Sequence, residues 1–211
     1  MSDYPVHYHV KRSERLTRLQ LAVRVVAFMA IGMLGLSFGM IFAFLYLGLP
    51  AYAASRLAKD EAGYLDGDGK QVEKVLGWFA AITAWAGLTA EHLPGSGPEE
   101  QVELVIDAQG DFRPTANGAI WRVLKGIPSA LVLGILSWVG IVMWVWAAVS
   151  ILLAERVRKT PFEFLQGLQR WSVRLLAYQA SLVEDYPPFS FGDARPTLPS
   201  ARVVVREDIS A

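Results

Sequence analysis

The chain has 211 residues, 53% of them apolar and seven of them Trp, and its 20 Lys and Arg balance its 20 Asp and Glu. That neutrality supplies no bulk field to draw it to nucleic acid, so nucleic-acid binding is not expected. Cys is absent, which excludes disulfides, thiolate metal sites and cysteine nucleophiles together.

From the N-terminus, YPVHYHV alternates and is rich in β-branched and aromatic residues, which predicts a strand over 5–10. His7 and His9 fall on one face of it, a spacing able to hold a metal. With no Cys and no evident carboxylate partner they are expected to face solvent. A basic stretch follows, with Lys11, Arg12, Arg15, Arg18 and Arg24, and then a charge-free run from Val25 to Ala54. About 20 apolar residues cross the hydrocarbon core of a bilayer as a helix, so 22–54 is predicted as a membrane segment. The run is too long for the apolar core of a cleaved leader, and a retained anchor is expected. Arg24, at its mouth, is expected to snorkel to the headgroups. Gly35 and Gly39 have the spacing of a close helix-packing seam, and Pro50 marks an expected kink or end.

Residues 55–74 read as a polar connector with DGDGK at 66–70 as its turn. Asp66 and Asp68 open like a calcium loop, but the later ligands are missing, and a plain turn is the expectation. The charge-free stretch 75–90, with Trp78, Phe79 and Trp85, is short for a span and predicts an interfacial helix over 73–92. LPGSGP at 93–98 ends it, and QVELVID predicts a second strand over 101–107. Trp121, Arg122 and Lys125 lead into a second charge-free run, Gly126 to Ala154, giving a membrane segment over 120–154. Arg156, Arg158 and Lys159 form the basic border expected on a cytoplasmic side. An amphipathic helix follows over 161–184, with Leu165, Leu168, Leu175 and Leu182 on one face and Arg170 and Arg174 on the other. It is expected to lie along the membrane surface and to end in YPPF. The tail, 193–211, includes a candidate strand at 201–206.

Setting Pro94 against Pro187 pairs Trp78 with Trp171, Ala84 with Ala177, Trp85 with Tyr178 and Glu91 with Glu184 without a gap. Upstream, VHYHV stands against VELVI, and Arg24 falls near Arg122 when two residues are inserted. The expected fold is therefore a mainly α-helical integral membrane protein made of two copies of one unit, 1–98 and 99–192. Each unit holds a short strand, a long transmembrane helix or a glycine-broken helical hairpin, and an amphipathic interfacial helix. Single crossings put both termini in the cytoplasm and the two strands on opposite faces. They leave 55–120, with 11 acidic and 5 basic residues, outside. Hairpins put both strands on one side, where they can pair. Run length favours two single crossings.

The segment TPFEFLQGLQRWSVRLLAYQASLVEDYPPFSF resembles the signature of a bacterial membrane family, domain of unknown function 4389. The shared pattern is an apolar run, a helix start carried here by Phe162, Phe164, Gly167, Arg170 and Trp171, then Arg174 and Tyr178, and an exit of Asp185, Tyr186, Pro187, Pro188 and Phe189. The N-terminal YPVHYHVKRSERLTRL is similar to the family's opening strand and basic stretch. In the first half LPG stands for YPPF, and Ala81 stands where the second half has Arg174. The resemblance implies a membrane location, often with two copies in one chain, and no established activity.

No nucleophile elbow, phosphate loop, zinc-helix or dinucleotide glycine motif is present. No catalytic residue, cofactor or metal site is expected. The two runs offer only Ser37, Ser129, Ser137 and Ser150 as polar groups, too few to line a transport path alone. The expected function is a non-enzymatic scaffold or accessory subunit of a membrane assembly in the bacterial inner membrane. The alternative is a lipid-handling or transport-associated subunit. Expected partners are the lipid bilayer and a membrane-protein partner or second copy. The expected contact residues are Arg170, Trp171, Arg174, Tyr178, Tyr186, Pro187, Pro188 and Phe189, their aromatic and guanidinium groups suiting the interface level.

Overall fold

The computed structural model describes residues 4–13, 15–33, 37–95, 101–107 and 112–192. The tail with its expected strand at 201–206, and Gly35 of the expected glycine seam, lie outside them. The order is β1 (Val6–Val10), α1 (Arg18–Met33), α2 (Phe38–Leu57), α3 (Asp68–Ala86), β2 (Val102–Ile106), α4 (Ala116–Ala154) and α5 (Lys159–Gln179), so the fold is mostly helical. α2 and α4 are long and apolar enough to cross a membrane, by length and composition.

Both long runs start from a threonine cap. Thr17 Oγ1 accepts from the Gln20 amide at 3.2 Å, and Thr115 Oγ1 accepts from the Gly118 amide at 3.1 Å, each satisfying one of the unpaired donors of a first turn. α1 and α2 then follow one side of α4 in the opposite direction. The Leu16 amide donates to the Glu155 carbonyl at 2.9 Å. The Phe28 and Trp144 rings meet edge-on at 5.6 Å, and Tyr46 Oη donates to the Val123 carbonyl at 2.6 Å. Each step forward in the first run is thus a step back along α4.

This corrects the alternative in which each run folds back as a hairpin. α4 is unbroken for 39 residues, with Pro128 inside it, because a glycine costs a helix only about 1 kcal/mol and packing outweighs that. The first run is divided into α1 and α2, but they continue in one direction along α4 and do not fold back. α2 also runs through Pro50 to Leu57. At Gly39 an added Cβ would meet only Ser37 within 4 Å, and at Gly32 nothing, so no helix approaches closely at either. The close approach is at Gly126, where a Cβ would stand 2.7 Å from Tyr46 Oη and against Gln179.

α3 and α5 form a second layer on this helix pair, and the strands form a third. β1 and β2 pair antiparallel with Tyr8 opposite Leu104 at the centre. Pairing overturns the arrangement in which single crossings leave the strands on opposite faces. Val6, Tyr8 and Val10 point inward and are fully buried. His9 and Glu103, opposite one another on the outer face, are exposed. Most of the core lies between the layers around Tyr8, Leu57, Leu76, Leu175 and Leu176. A smaller cluster of Leu16, Leu21, Leu88, Ile151 and Phe162 sits at the C-terminal end of α4.

Two buried arginines bond backbone carbonyls near the ends of α3 and α5. Arg24 is fully buried and donates through Nη2 to the carbonyls of Ala90 at 2.6 Å and Glu91 at 2.9 Å, with its guanidinium 5.3 Å from the Trp85 ring. Arg122 donates through Nη1 to the carbonyls of Val183 at 2.6 Å and Tyr178 at 2.8 Å, 4.4 Å from the Tyr178 ring. Arg24 thus holds the segment just after α3, and Arg122 holds the last turn of α5 and the segment after it. Arg24 does not reach outward as expected, because turning in gives it carbonyl partners and an aromatic face together. Both of those helices end on a residue with positive φ, Leu88 at 61° and Ser181 at 56°. The next amides, of Thr89 and Leu182, bond back to Ala84 and Ala177.

The connector turn contains no calcium-type arrangement. Asp68 instead opens α3, accepting from Tyr52 Oη at 3.0 Å with Arg56 Nε at 3.6 Å.

Candidate functional site

The candidate contact segment is built on a match of two periods. Residues four apart on a helix advance about 6 Å, and residues two apart on a strand about 6.8 Å. Gln166, Arg170 and Arg174 can therefore face Val10, Tyr8 and Val6 in register. Their side chains donate to those three carbonyls: Gln166 Nε2 to Val10 at 3.3 Å, Arg170 Nε to Tyr8 at 2.9 Å and Arg174 Nε to Val6 at 3.1 Å. These are the carbonyls β2 does not use. The ladder between the strands is carried by the alternate residues, as shown by Asp107 donating to Pro5 and Lys11 to Gln101. α5 thus seals the outer edge of β1 with side chains.

The same arginines hold the exit. Arg170 Nη1 donates to Phe191 at 2.6 Å and Arg174 Nη1 to Gly192 at 3.1 Å, so the YPPF segment is drawn back over α5. Phe189 and Phe191 pack edge-on against Trp171 at 5.3 and 6.0 Å, and Tyr186 meets Tyr178 at 5.4 Å. Ser129 Oγ and Tyr186 Oη are 2.6 Å apart, tying the exit to α4. Gly167 is required here, since a Cβ would lie 2.7 Å from Phe191 Cβ. Burial pushes the hydroxyls of Tyr4 and Tyr8 above the ordinary phenol range, with Arg174 and Arg170 respectively opposing the shift.

The structure brings all eight expected contact residues together, but as an interior staple. Trp171, Arg170, Arg174 and Tyr178 are between 1% and 7% exposed. Pro187 is buried and Tyr186 half-buried, leaving only Pro188 and Phe189 at the surface. The expectation that α5 lies along the membrane surface is corrected for the same reason. Its polar face is covered because β1's free carbonyls and the exit backbone take up the guanidinium donors, which makes burial of the cations tolerable. Sequence reasoning missed Gln166, which begins the donor series, and Arg122, which closes α5. The spacing 166, 170, 174 opposite an alternating strand was the available signal.

Chemically the cluster offers donors already committed to backbone carbonyls, with no nucleophile beside a base. Among the described residues no group of three or more His, Cys, Asp or Glu could hold a metal ion. No curated protein and no solved structure matches the chain. Residues 117–190, from the start of α4 through the proline exit, match the model of a family described as Domain of unknown function (DUF4389).

Proposed function

We propose that this chain is a non-enzymatic membrane protein of duplicated design, acting as a scaffold or accessory subunit at the cytoplasmic membrane of a bacterium with both termini on the cytoplasmic side. The observation that carries it is the surface of the long helices. Leu131, Trp138 and Leu153 on α4 are 65%, 75% and 78% exposed, and Phe44 on α2 is 64% exposed. Monomeric soluble proteins rarely present a contiguous apolar surface of that extent. Support for duplication comes from Thr17 and Thr115, Arg24 and Arg122, and Leu88 and Ser181, each pair doing the same work in its own half. The match of residues 117–190 to one domain family falls within the second of the two proposed copies.

The buried staple shapes the contact surface from beneath, and Pro188 and Phe189 are the part of the exit available to a partner. A photocrosslinker at Phe189 in membranes of the expressing cell tests this. Adducts with a defined set of proteins support the scaffold reading. Release of the chain from membranes by alkaline carbonate, or adducts with lipid alone, would reject it.

A further inference from the structure

The exposed apolar residues are ordered. On α4, Leu124, Leu131, Trp138, Val145 and Leu152 recur every seven residues, and every one is at least half exposed. Along α1 and α2 the same spacing runs through Leu19, Val26, Met33, Met40 and Leu47, each exposed. On the continuous α4, five positions seven apart cover about 42 Å of helix, more than the roughly 30 Å of a bilayer's hydrocarbon core. The helices that carry them run antiparallel, and no charge occurs between Val25 and Ala54 or between Gly126 and Ala154.

The polar surface sits on the other side of the layers. The ribbon's outer face presents His9 and Glu103, with Asp107 exposed at its end. Its position along the helices is fixed by α5: the residues that hold β1, Gln166 to Arg174, flank Leu168, which packs against Gly140 near the middle of α4. If α4 stood across the bilayer, the ribbon would lie at mid-depth, with His9, Glu103 and Asp107 facing hydrocarbon, where charged groups are strongly disfavoured. Laying the pair flat removes that conflict and uses the whole length of both stripes. Where α4 ends, an open cleft of about 460 Å³ is lined by Arg12, Arg156, Arg158 and Lys159 beside Trp146 and Leu153. Cations against an apolar floor at the rim of such a face suit headgroup phosphates.

We infer that the protein lies in one leaflet of a phospholipid bilayer, with α1, α2 and α4 in the membrane plane, their striped face among the acyl chains and the ribbon toward the aqueous side. This rests on the membrane reading above and replaces crossing with in-plane insertion. The absence of Cys makes the test direct. Single substitutions Leu124→Cys, Leu131→Cys, Trp138→Cys, Val145→Cys and Leu152→Cys, spin-labelled in the full chain and bound to phosphatidylethanolamine–phosphatidylglycerol vesicles, report depth along α4.

All five labels at one depth, on the order of 5–10 Å below the phosphates, is the expected result. A depth that peaks at position 138 and falls toward both ends overturns the inference. Asn117→Cys and Lys159→Cys give an independent check in sealed vesicles. An impermeant maleimide should reach both from the same side, and labelling from opposite sides rejects the in-plane arrangement while leaving the membrane reading intact. Carbonate-resistant retention with the Glu103→Cys label shielded by a second copy also overturns it, in favour of crossing as a dimer. Failure to bind vesicles at all rejects both readings.

Discussion

Trp171 and Trp78 occupy corresponding places on α5 and α3, yet the first is 3% exposed and the second 65%. The way the helices end does not account for this, since each is followed by a residue of positive φ and by a carbonyl that takes a bond from a buried arginine. What differs is what returns over them. After α5 the exit folds back and lays Phe189 and Phe191 on Trp171. The position corresponding to Gly167, which must lack a side chain to admit Phe191, is Lys74, and it is exposed. Gln166, Arg170 and Arg174 correspond to Glu73, Gly77 and Ala81, which cannot donate to a strand edge. A helix thus stands as an outer wall, like α3, or as a central post, like α5, according to whether its neighbours supply carbonyls and aromatics to receive it.

The largest test of that contrast is at the donors. Arg174→Ala removes two charge-assisted bonds, one to the buried Val6 carbonyl and one to Gly192, each worth about 1.5–3 kcal/mol. A loss of about 3–5 kcal/mol is expected in detergent-solubilised denaturation. Ala81→Gly, the counterpart change in α3, should cost no more than the glycine's own helix penalty of about 1 kcal/mol. Close behind, Trp171→Ala should cost about 3–5 kcal/mol as a buried aromatic truncation. Trp78→Ala should stay within about 0.5 kcal/mol, and equal losses at the two tryptophans would break the comparison.

Gly167→Ala should cost about 1–3 kcal/mol by displacing Phe191, read as a change in Trp171 fluorescence, while Lys74→Ala leaves the spectrum unchanged. The smallest effect concerns the junction where the first half meets the end of α4. Arg15 Nε donates to Glu155 at 2.9 Å and holds that carboxyl below its usual range. Because the folded value is depressed, the bond's contribution is present above the ordinary carboxylate range and is lost as pH falls through the lowered value. Titration followed by carboxyl NMR should show Glu155 low in the native chain and shifted back toward the usual range by Arg15→Ala, with Arg18 still lowering it.

Much of the secondary structure could be read from residue patterns, because charge-free length and strict alternation are local properties. The strands lie at Val6–Val10 and Val102–Ile106, and the apolar runs at α1, α2 and α4. The arrangement of these parts was less legible. Arg24 gives the same local pattern whether it reaches for headgroups or turns in to Ala90, and only the second option depends on a loop carbonyl 66 residues away. Arg170 and Arg174 fall on the polar side of a helical wheel, and nothing local says that the backbone edge of β1 will cover that side. The candidate site was therefore found as a set of residues, with its direction reversed.

The donor series along β1 also limits how copies of this chain can join through their strands. With one edge occupied by Gln166, Arg170 and Arg174, the ribbon has a valence of one, since any added strand has to pair along β2. Two ribbons meeting edge to edge at β2 would expose only occupied edges, so strand-mediated association stops at a pair and cannot run on into a fibre.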